Sequence, residues 1–199
     1  MLSIEEIRKI FCEHGNVMRT ADLVASKIYY ADIQKLLNDD HIEKIKRGYY
    51  HLVDLENLSE ANIINHLFPE AVLCLDTALF YYGYSDRTPS KWHLAVDKDI
   101  KKSRLEIDYP FIKPYFLEPH ILKIGITEGE IDHNKVRIYD KDRTSCDCLK
   151  YMGKMDKEVF NKAIQSYIRD EKKNISNLLN YAKQLRVLKK VKDLIGVWL

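Results

Sequence analysis

Three carboxylates at the start of the chain's last third, Asp140, Asp142 and Asp147, could do catalytic chemistry. Paired carboxylates could hold a divalent metal ion for a nuclease or transferase reaction, if their oxygens converge and one coordination position stays open. The spacing also has a simpler structural explanation, because Asp142 precedes a helical pattern and can cap it, with Arg143 as a partner or core-facing anchor. By the same argument, Asp76 is expected to cap a helix. We predict that Asp76 and Asp142 cap helices. A metal-dependent nuclease or transferase is the alternative.

Cysteine and histidine offer little further chemistry. The spacing Cys146-x-Cys148 is not that of a zinc site, and no second Cys/His pair lies near it in the sequence. The seven histidines are scattered without metal-ligand spacing. The sequence also has no Gly-rich phosphate loop, nucleophile elbow or His-Glu-x-x-His motif. We therefore expect buried core thiols, no metal, no cofactor and no enzymatic activity.

Side chains between residues 20 and 49 are suited to contacting DNA. Gln34 can pair bidentately with adenine, and Lys35 can reach guanine or a phosphate. Lys46 and Arg47 precede Gly48 at the tip of a predicted hairpin, where a basic tip suits phosphate or minor-groove contact. The predicted DNA-binding residues are Thr20, Lys27, Tyr29, Tyr30, Gln34, Lys35, Lys44, Lys46, Arg47 and Tyr49.

The local patterns predict the elements that would position these side chains. Ser3 and Glu6 can form a capping box for a helix over 3–13. Thr20 is the expected cap of a short second helix, and a third helix is predicted from about Tyr30 to Asp39, with Ile33, Leu36 and Leu37 on its apolar side. Two strands follow, over 42–45 and 49–53. This order is typical of a winged helix-turn-helix, whose second motif helix enters the major groove of DNA.

The net charge of the predicted winged helix-turn-helix leaves open an alternative to DNA binding. Residues 1–54 carry eight Lys/Arg against nine Asp/Glu, a net charge of −1. Asp32, Asp39 and Asp40 would repel phosphate if they faced it. The alternative interpretation is therefore a winged-helix scaffold that contacts proteins.

Residues 55–199 are expected to form a second, mixed α/β domain that follows a hinge at 54–59. The pattern predicts helices over 60–68, 71–82, 142–152, 156–170, 176–185 and 188–197, and strands over 91–96, 111–117, 121–127 and 135–139. Tyr81, Tyr82, Tyr84 and Trp92 are expected to form an aromatic core cluster, part of which could be exposed. The predicted fold class is thus α+β: a winged helix-turn-helix over 1–54, then a mixed α/β domain over 55–199 that ends in a helical bundle.

Basic residues are concentrated in the last quarter of the chain. Residues 150–199 carry twelve Lys/Arg against five Asp/Glu, a net charge of +7. At helical spacing, Lys183, Arg186 and Lys190 can share one face, which could be a further nucleic-acid surface or a solvated face of the bundle. The residues of this candidate secondary surface are Lys183, Arg186, Lys189, Lys190 and Lys192.

The first thirteen residues are charged and lack the apolar core of a signal peptide, and no apolar run approaches membrane-spanning length. We expect a cytoplasmic protein that has reduced thiols and no membrane partner.

Five segments together resemble the AbiE-type antitoxin family of type IV toxin–antitoxin systems, which act in abortive phage infection. They are residues 14–23, 33–37, 42–50, 74–86 with Pro89, and 139–144. The resemblance covers most of the chain. The sequence departs from the family pattern at Ser26-Lys27 and at Asp39-Asp40, where the family often carries glycine.

The resemblance implies a protein with two activities. The N-terminal domain would bind inverted repeats in double-stranded DNA upstream of its own operon and repress it. The C-terminal domain would counteract a cognate nucleotidyltransferase-like toxin without forming a stable complex. Two half-sites are compatible with a dimer, or with a monomer in solution that binds DNA cooperatively. The alternative is a transcription regulator whose second domain senses a ligand or partner.

Overall fold

The computed structural model describes residues 2–53 and 59–196, which form ten α-helices and eight β-strands in two sheets. The predicted mixture of helix and strand is confirmed. The chain divides into two units. The first comprises Met1–Pro69, Lys102–Pro110 and Asp132–Asn134, and the second comprises Glu70–Lys101, Phe111–Ile131 and Lys135–Leu199. The predicted hinge falls mainly on residues 54–58, which lie outside the described residues.

The first unit contains all the elements predicted for residues 3–53. Its helices are α1 (Ile4–Glu13), α2 (Thr20–Ala25), α3 (Tyr30–Asn38) and α4 (Glu60–Leu67), and its strands are β1 (Val17–Arg19), β2 (Ile42–Lys46) and β3 (Tyr49–Leu52). The predicted capping box at α1 is confirmed, because Ser3 Oγ accepts from the Glu6 amide and the Glu6 carboxylate accepts from the Ser3 amide. Ser59 caps α4, since its side chain accepts from the Asn62 amide.

A small sheet with the order β1-β3-β2 completes this unit, and both of its pairings are antiparallel. The apolar sides of the helices pack on one another and on the inner side chains of the sheet to form a continuous core. Its members include Phe11, Met18, Leu23, Ile28, Ile33, Leu36 and Ile42. The 3.6-residue period of the helices and the two-residue period of the strands direct these side chains inward, so their polar neighbours face solvent.

The second unit contains a five-stranded sheet and six helices. The strands are β4 (Val72–Leu73), β5 (Trp92–Asp97), β6 (Ile112–Leu117), β7 (Ile126–Ile131) and β8 (Asn134–Tyr139), and the helices are α5 (Leu75–Tyr81), α6 (Pro119–Leu122), α7 (Lys141–Tyr151), α8 (Lys157–Arg169), α9 (Ile175–Gln184) and α10 (Leu188–Leu194). The strand order is β6-β5-β4-β8-β7. Strand β4 runs antiparallel to β5 and parallel to β8, and β5 runs parallel to β6.

Two element predictions were wrong. The predicted helix over 71–82 begins as β4, and only Leu75–Tyr81 is helical. Val72 and Leu73 are buried between two neighbouring strands, so they lack the polar alternation that marks a half-exposed strand. The predicted strand over 121–127 is interrupted as well. Pro119 starts the short helix α6, in agreement with the preference of proline for the first helical turn, and β7 begins only at Ile126.

The last three helices, α8, α9 and α10, pack around α7. Cys146 and Leu149 of α7 contribute to one apolar cluster with Tyr167, Leu178 and Val191 of the surrounding helices. The expected core thiols are confirmed at Cys146 and Cys148, which are buried. Cys74 is buried as well, whereas Cys12 is exposed. Helix α7 is buried on nearly all sides, so its polar residues must find partners within the protein.

Candidate nucleic-acid interface

Helix α2 starts one residue earlier than the cap prediction allowed. Its N-cap is Arg19 rather than Thr20, because the Asp22 carboxylate accepts from the Arg19 amide at 3.1 Å. Thr20 instead binds the tip of the β2–β3 hairpin, where its amide and its hydroxyl donate to the Gly48 carbonyl oxygen at 3.0 and 3.4 Å. Thr20 therefore ties the start of α2 to the hairpin, and its hydroxyl is used inside the protein.

The turn between α2 and α3 is closed without glycine. Lys27 adopts a left-handed conformation, with φ at 64°. The next residue, Ile28, is buried, and its amide donates to the Leu23 carbonyl oxygen at 2.9 Å. The turn thus holds an apolar anchor inside and leaves the Lys27 side chain exposed.

Helix α3 and its N-cap carry four of the ten residues predicted to contact DNA. Tyr29 is its N-cap residue, and the Asp32 carboxylate accepts from the Tyr29 amide at 3.0 Å. The side chains of Tyr29 and Tyr30 are 56% and 72% exposed. Lys35 is exposed and Gln34 is partly exposed. The carboxylate of Asp32 is engaged at the start of the helix, which reduces its expected repulsion of a phosphate.

Two further residues of α3 belong to the same exposed side and were missed by the sequence analysis. Ala31 and Asn38 lie four residues before and three residues after Lys35, and both are exposed. A methyl group can contact the thymine methyl in the major groove, and an asparagine amide can pair with adenine. Their spacing from Lys35 in the sequence could have identified them, because residues three or four positions apart share one side of a helix.

The hairpin tip consists of Arg47 and Gly48. Gly48 has φ at 79°, a left-handed conformation that costs glycine nothing. Arg47 is exposed beside it, and Lys44 is exposed on β2. Tyr49 is partly buried and lies opposite Arg19 of β1. The structure thus brings the hairpin tip and the start of α2 together, as the predicted motif requires.

Lys46 differs from the predicted arrangement. Its ammonium donates to the Arg104 carbonyl oxygen at 3.1 Å and lies 4.7 Å from the Tyr49 ring centroid and 5.4 Å from that of Phe68. Partial burial, and then the nearby Arg104 charge, lower the pKa of Lys46. The prediction that Lys46 projects from the tip with Arg47 was therefore wrong, because its side chain is held against the protein.

Arg19 is a basic residue that the sequence analysis did not select. Its guanidinium lies 3.0 Å from the Asp22 carboxylate, and its side chain is 60% exposed. The hydrogen bond and the charge of Asp22 raise the pKa of Arg19, with a further contribution from Tyr49. Arg19 thus adds an exposed cation beside the hairpin.

The candidate secondary surface does not form one helical face. Lys183 lies in the last turn of α9, but Arg186 lies in the turn after it, with φ at 59°, so helical spacing does not apply. The Lys190 ammonium donates to the Leu149 carbonyl oxygen at 2.8 Å, near the end of α7. Lys183, Lys189 and Lys192 are exposed. The predicted shared face of Lys183, Arg186 and Lys190 was wrong.

The three candidate catalytic carboxylates each have partners inside the second unit. Asp140, rather than Asp142, caps α7, because its Oδ1 accepts from the Arg143 amide at 2.7 Å, and its Oδ2 accepts from the Tyr181 hydroxyl at 3.0 Å. Asp142 is buried and accepts from the Tyr167 hydroxyl at 2.8 Å and the Asn174 amide at 2.9 Å. The Asp142 cap prediction was therefore wrong.

Asp147 forms a buried ion pair with Arg143, at 3.1 Å. Arg143 is fully buried, as expected for a core-facing anchor, and also donates to the carbonyl oxygens of Ile121 and Ile124 at 2.9 and 2.8 Å. Among residues 2–53 and 59–196, no group of three His, Cys, Asp or Glu side chains is placed to hold a metal ion. The arrangement of the three carboxylates is that of a packed and hydrogen-bonded helix start.

Asp76 is also not a cap. Helix α5 begins after Cys74, and the Asp76 carboxylate lies 3.5 Å from Nε2 of the buried His93. Burial lowers the pKa of His93 to about 4, although the charge of Asp76 acts in the opposite direction. The Tyr115 hydroxyl lies 3.3 Å from His93 Nδ1. His93 is thus a neutral core histidine with polar neighbours on both ring nitrogens.

The predicted aromatic cluster continues into α8. The ring centroids of Tyr81 and Tyr82 are 5.0 Å apart, those of Tyr82 and Tyr84 are 6.0 Å apart, and those of Tyr84 and Tyr167 are 6.4 Å apart. Tyr84 is buried and Tyr81 is exposed, in agreement with a core cluster that reaches the surface. Trp92 is partly buried at the start of β5.

In the described part of the chain, no helix combines the length and the apolar character needed to cross a membrane. Comparison with models of known protein families and with curated protein sequences gave no match.

Proposed function

We propose that the first unit is a winged helix-turn-helix that binds double-stranded DNA. The observation that carries this proposal is the order α1-β1-α2-α3-β2-β3 combined with the sheet order β1-β3-β2. In a winged helix-turn-helix, the second motif helix reads the major groove while the hairpin contacts the adjacent backbone. Here α3 would be the reading helix and the β2–β3 hairpin the wing.

The exposed side chains support this assignment. Gln34 and Asn38 can read adenine edges, and Lys35 can reach guanine or phosphate. Tyr29, Tyr30 and Lys27 lie at or just before the start of α3, where hydroxyl and ammonium groups suit phosphate contact. Arg47 would make the wing contact. The bonds from Thr20 to Gly48 support a fixed spacing between the helix and the wing.

We further propose that the chain is the antitoxin of a type IV toxin–antitoxin system and represses its own operon at inverted repeats. This part rests on the sequence resemblance. One contact supports it, because two of the resembling segments pack on each other in the second unit. The Tyr82 hydroxyl donates to the Tyr139 carbonyl oxygen at 2.9 Å, and the Lys141 ammonium lies 5.8 Å from the Tyr82 ring centroid.

An electrophoretic mobility shift with the region upstream of the chain's own reading frame tests the DNA-binding part. We expect salt-sensitive binding that weakens when Gln34 or Arg47 is changed to alanine. Loss at Gln34 should depend on the DNA sequence, whereas loss at Arg47 should be similar for all sequences. Arg8→Ala is the matched control, because Arg8 is an exposed residue of α1. Absence of binding, or binding that both variants leave unchanged, would refute the proposal.

Co-expression tests the antitoxin part. The probe is a nucleotidyltransferase-like reading frame that neighbours this chain's gene, expressed with and without the full chain. Rescue of growth that does not require co-purification of the two proteins supports a type IV antitoxin. DNA binding without rescue would instead favour a regulator whose second domain senses a ligand or partner.

A further inference from the structure

Residues 102–110 belong to the first unit although they begin more than thirty residues after the end of α4 in the chain. Two side-chain contacts hold this segment. The Lys46 ammonium donates to the Arg104 carbonyl oxygen at 3.1 Å, and the Tyr109 hydroxyl donates to the Glu60 carboxylate on α4. The first of these contacts lies beside the tip of the wing, where β2 ends.

The start of this segment brings positive charge to the first unit, whereas its end is acidic. Residues Lys102–Leu105 form a short 3-10 helix, and the side chains of Lys102 and Arg104 on it are exposed. Glu106 and Asp108 follow only after this helix has ended. The Arg104 charge is near enough to lower the pKa of Lys46, in addition to the effect of burial.

The wing needs a further source of positive charge to attract a DNA backbone. Residues 1–54 have a net charge of −1, and Lys46 is turned inward against two rings and a carbonyl group. Attraction to a DNA backbone scales with the number of phosphates that basic side chains neutralise. Arg47 alone would give the wing one such side chain at its tip.

We propose that the 3-10 helix Lys102–Leu105 is a second backbone-binding element beside the wing, with Lys102 and Arg104 contacting phosphates of the duplex that α3 reads. Lys46 acts as a positioning residue, since it holds this helix through the Arg104 backbone. This inference rests on the proposed DNA binding. It extends the DNA-binding surface to residues that lie outside the predicted N-terminal domain.

The backbone bond makes a clean test available. Changing both Lys102 and Arg104 to alanine removes two charges but keeps the carbonyl group that Lys46 binds. The dissociation constant of the full chain is measured against salt concentration, with a short random-sequence duplex and with the upstream region as probes. We expect the magnitude of the slope of the logarithm of the binding constant against the logarithm of the salt concentration to fall by about 2 for both probes. Each lost phosphate contact reduces the magnitude of this slope by about 0.9.

The matched control is Arg8→Ala with Lys9→Ala, which removes the same charge from the exposed side of α1 in the same unit. Circular dichroism of both double variants checks that they fold, and hydroxyl-radical footprinting of the unaltered protein provides a measurement that needs no variant. Additional backbone protection beside the wing contact, absent in the Lys102/Arg104 variant, supports the inference. An unchanged slope, or an equal loss in the control, would overturn it while DNA binding stands. No binding by the unaltered protein would overturn both.

Discussion

The ammonium of Lys46 lies 4.7 Å from the ring centroid of Tyr49, across the hairpin turn that joins β2 to β3. The two residues are paired in the strand register, which shifts between Lys44 and Lys46. The adjacent Arg47 faces solvent. Two neighbouring basic residues therefore have different roles, since one stabilises the hairpin and the other is available to a partner.

This difference predicts unequal effects of two alanine substitutions on stability. Lys46→Ala should lower the free energy of unfolding by about 1–2 kcal/mol, because it removes a cation–π contact and a hydrogen bond from a partly desolvated site. Arg47→Ala should change it by less than about 0.5 kcal/mol, as expected for an exposed loop residue. Urea denaturation of both variants measures the two values. Equal effects would contradict the separation of roles.

The buried pair of Arg143 and Asp147 predicts a large loss of stability when it is broken. Asp147→Ala should lower the free energy of unfolding by about 3–5 kcal/mol, because it leaves a buried guanidinium without its counter-charge. Removing both charges with Arg143→Met and Asp147→Leu should cost less than either single change, despite the lost bonds to Ile121 and Ile124. Chemical denaturation monitored by circular dichroism tests this, and additive losses in the double variant would contradict it.

His93 predicts a dependence of stability on pH. Burial lowers its pKa from 6.5 to about 4, so the folded protein binds this proton less readily than the unfolded chain does. The stabilisation of the folded state that results from this lowered pKa is complete above pH 6.5 and is lost as the pH falls toward 4. Between pH 7 and pH 5 we expect a loss of about 2 kcal/mol. This window lies above the ordinary range of Asp and Glu side chains.

The control for this prediction is His93→Asn, whose amide oxygen can replace Nδ1 as acceptor for the Asp76 amide. The groups that face His93 are Asp76, Thr77, Tyr115, Lys91 and Lys113. None of these has an ordinary pKa between 5 and 7, so the variant should lack the loss. Persistence of the full pH dependence in His93→Asn would show that another group is responsible.

The close contact between Gly125 and the buried Arg143 predicts a steric effect of adding a side chain at Gly125. A Cβ atom at this position would lie 2.5 Å from Arg143 Cβ, and the backbone has φ at 71°. Gly125→Ala should therefore destabilise the protein by about 3 kcal/mol, through overpacking and a left-handed alanine. Gly153→Ala is the matched control, because no atom lies within 4 Å of a Cβ there. Thermal unfolding of both variants compares them, and equal melting temperatures would refute the prediction.

Local sequence signals accounted for much of the fold. The Ser3/Glu6 capping box, the glycine of the hairpin turn and the apolar side of α3 each depend on residues a few positions apart, and each was predicted correctly. The error at Asp142 arose because Asp140 precedes the same helix and caps it instead. Several polar residues near a helix start can serve as its cap, and only the packing of that start decides which one does.

The sequence by itself determined the order of the three helices and the hairpin in residues 3–53, but not β1, and it identified Tyr30, Gln34 and Lys35 on α3, because helical period, capping and turn chemistry act over short distances. Only the tertiary structure decided the role of Lys46, whose partner Arg104 lies 58 residues further along the chain. It also decided that Asp142 and Arg143 are buried and that Val72–Leu73 is a strand. These outcomes depend on contacts between distant segments, and the local residue pattern carries no signal for them.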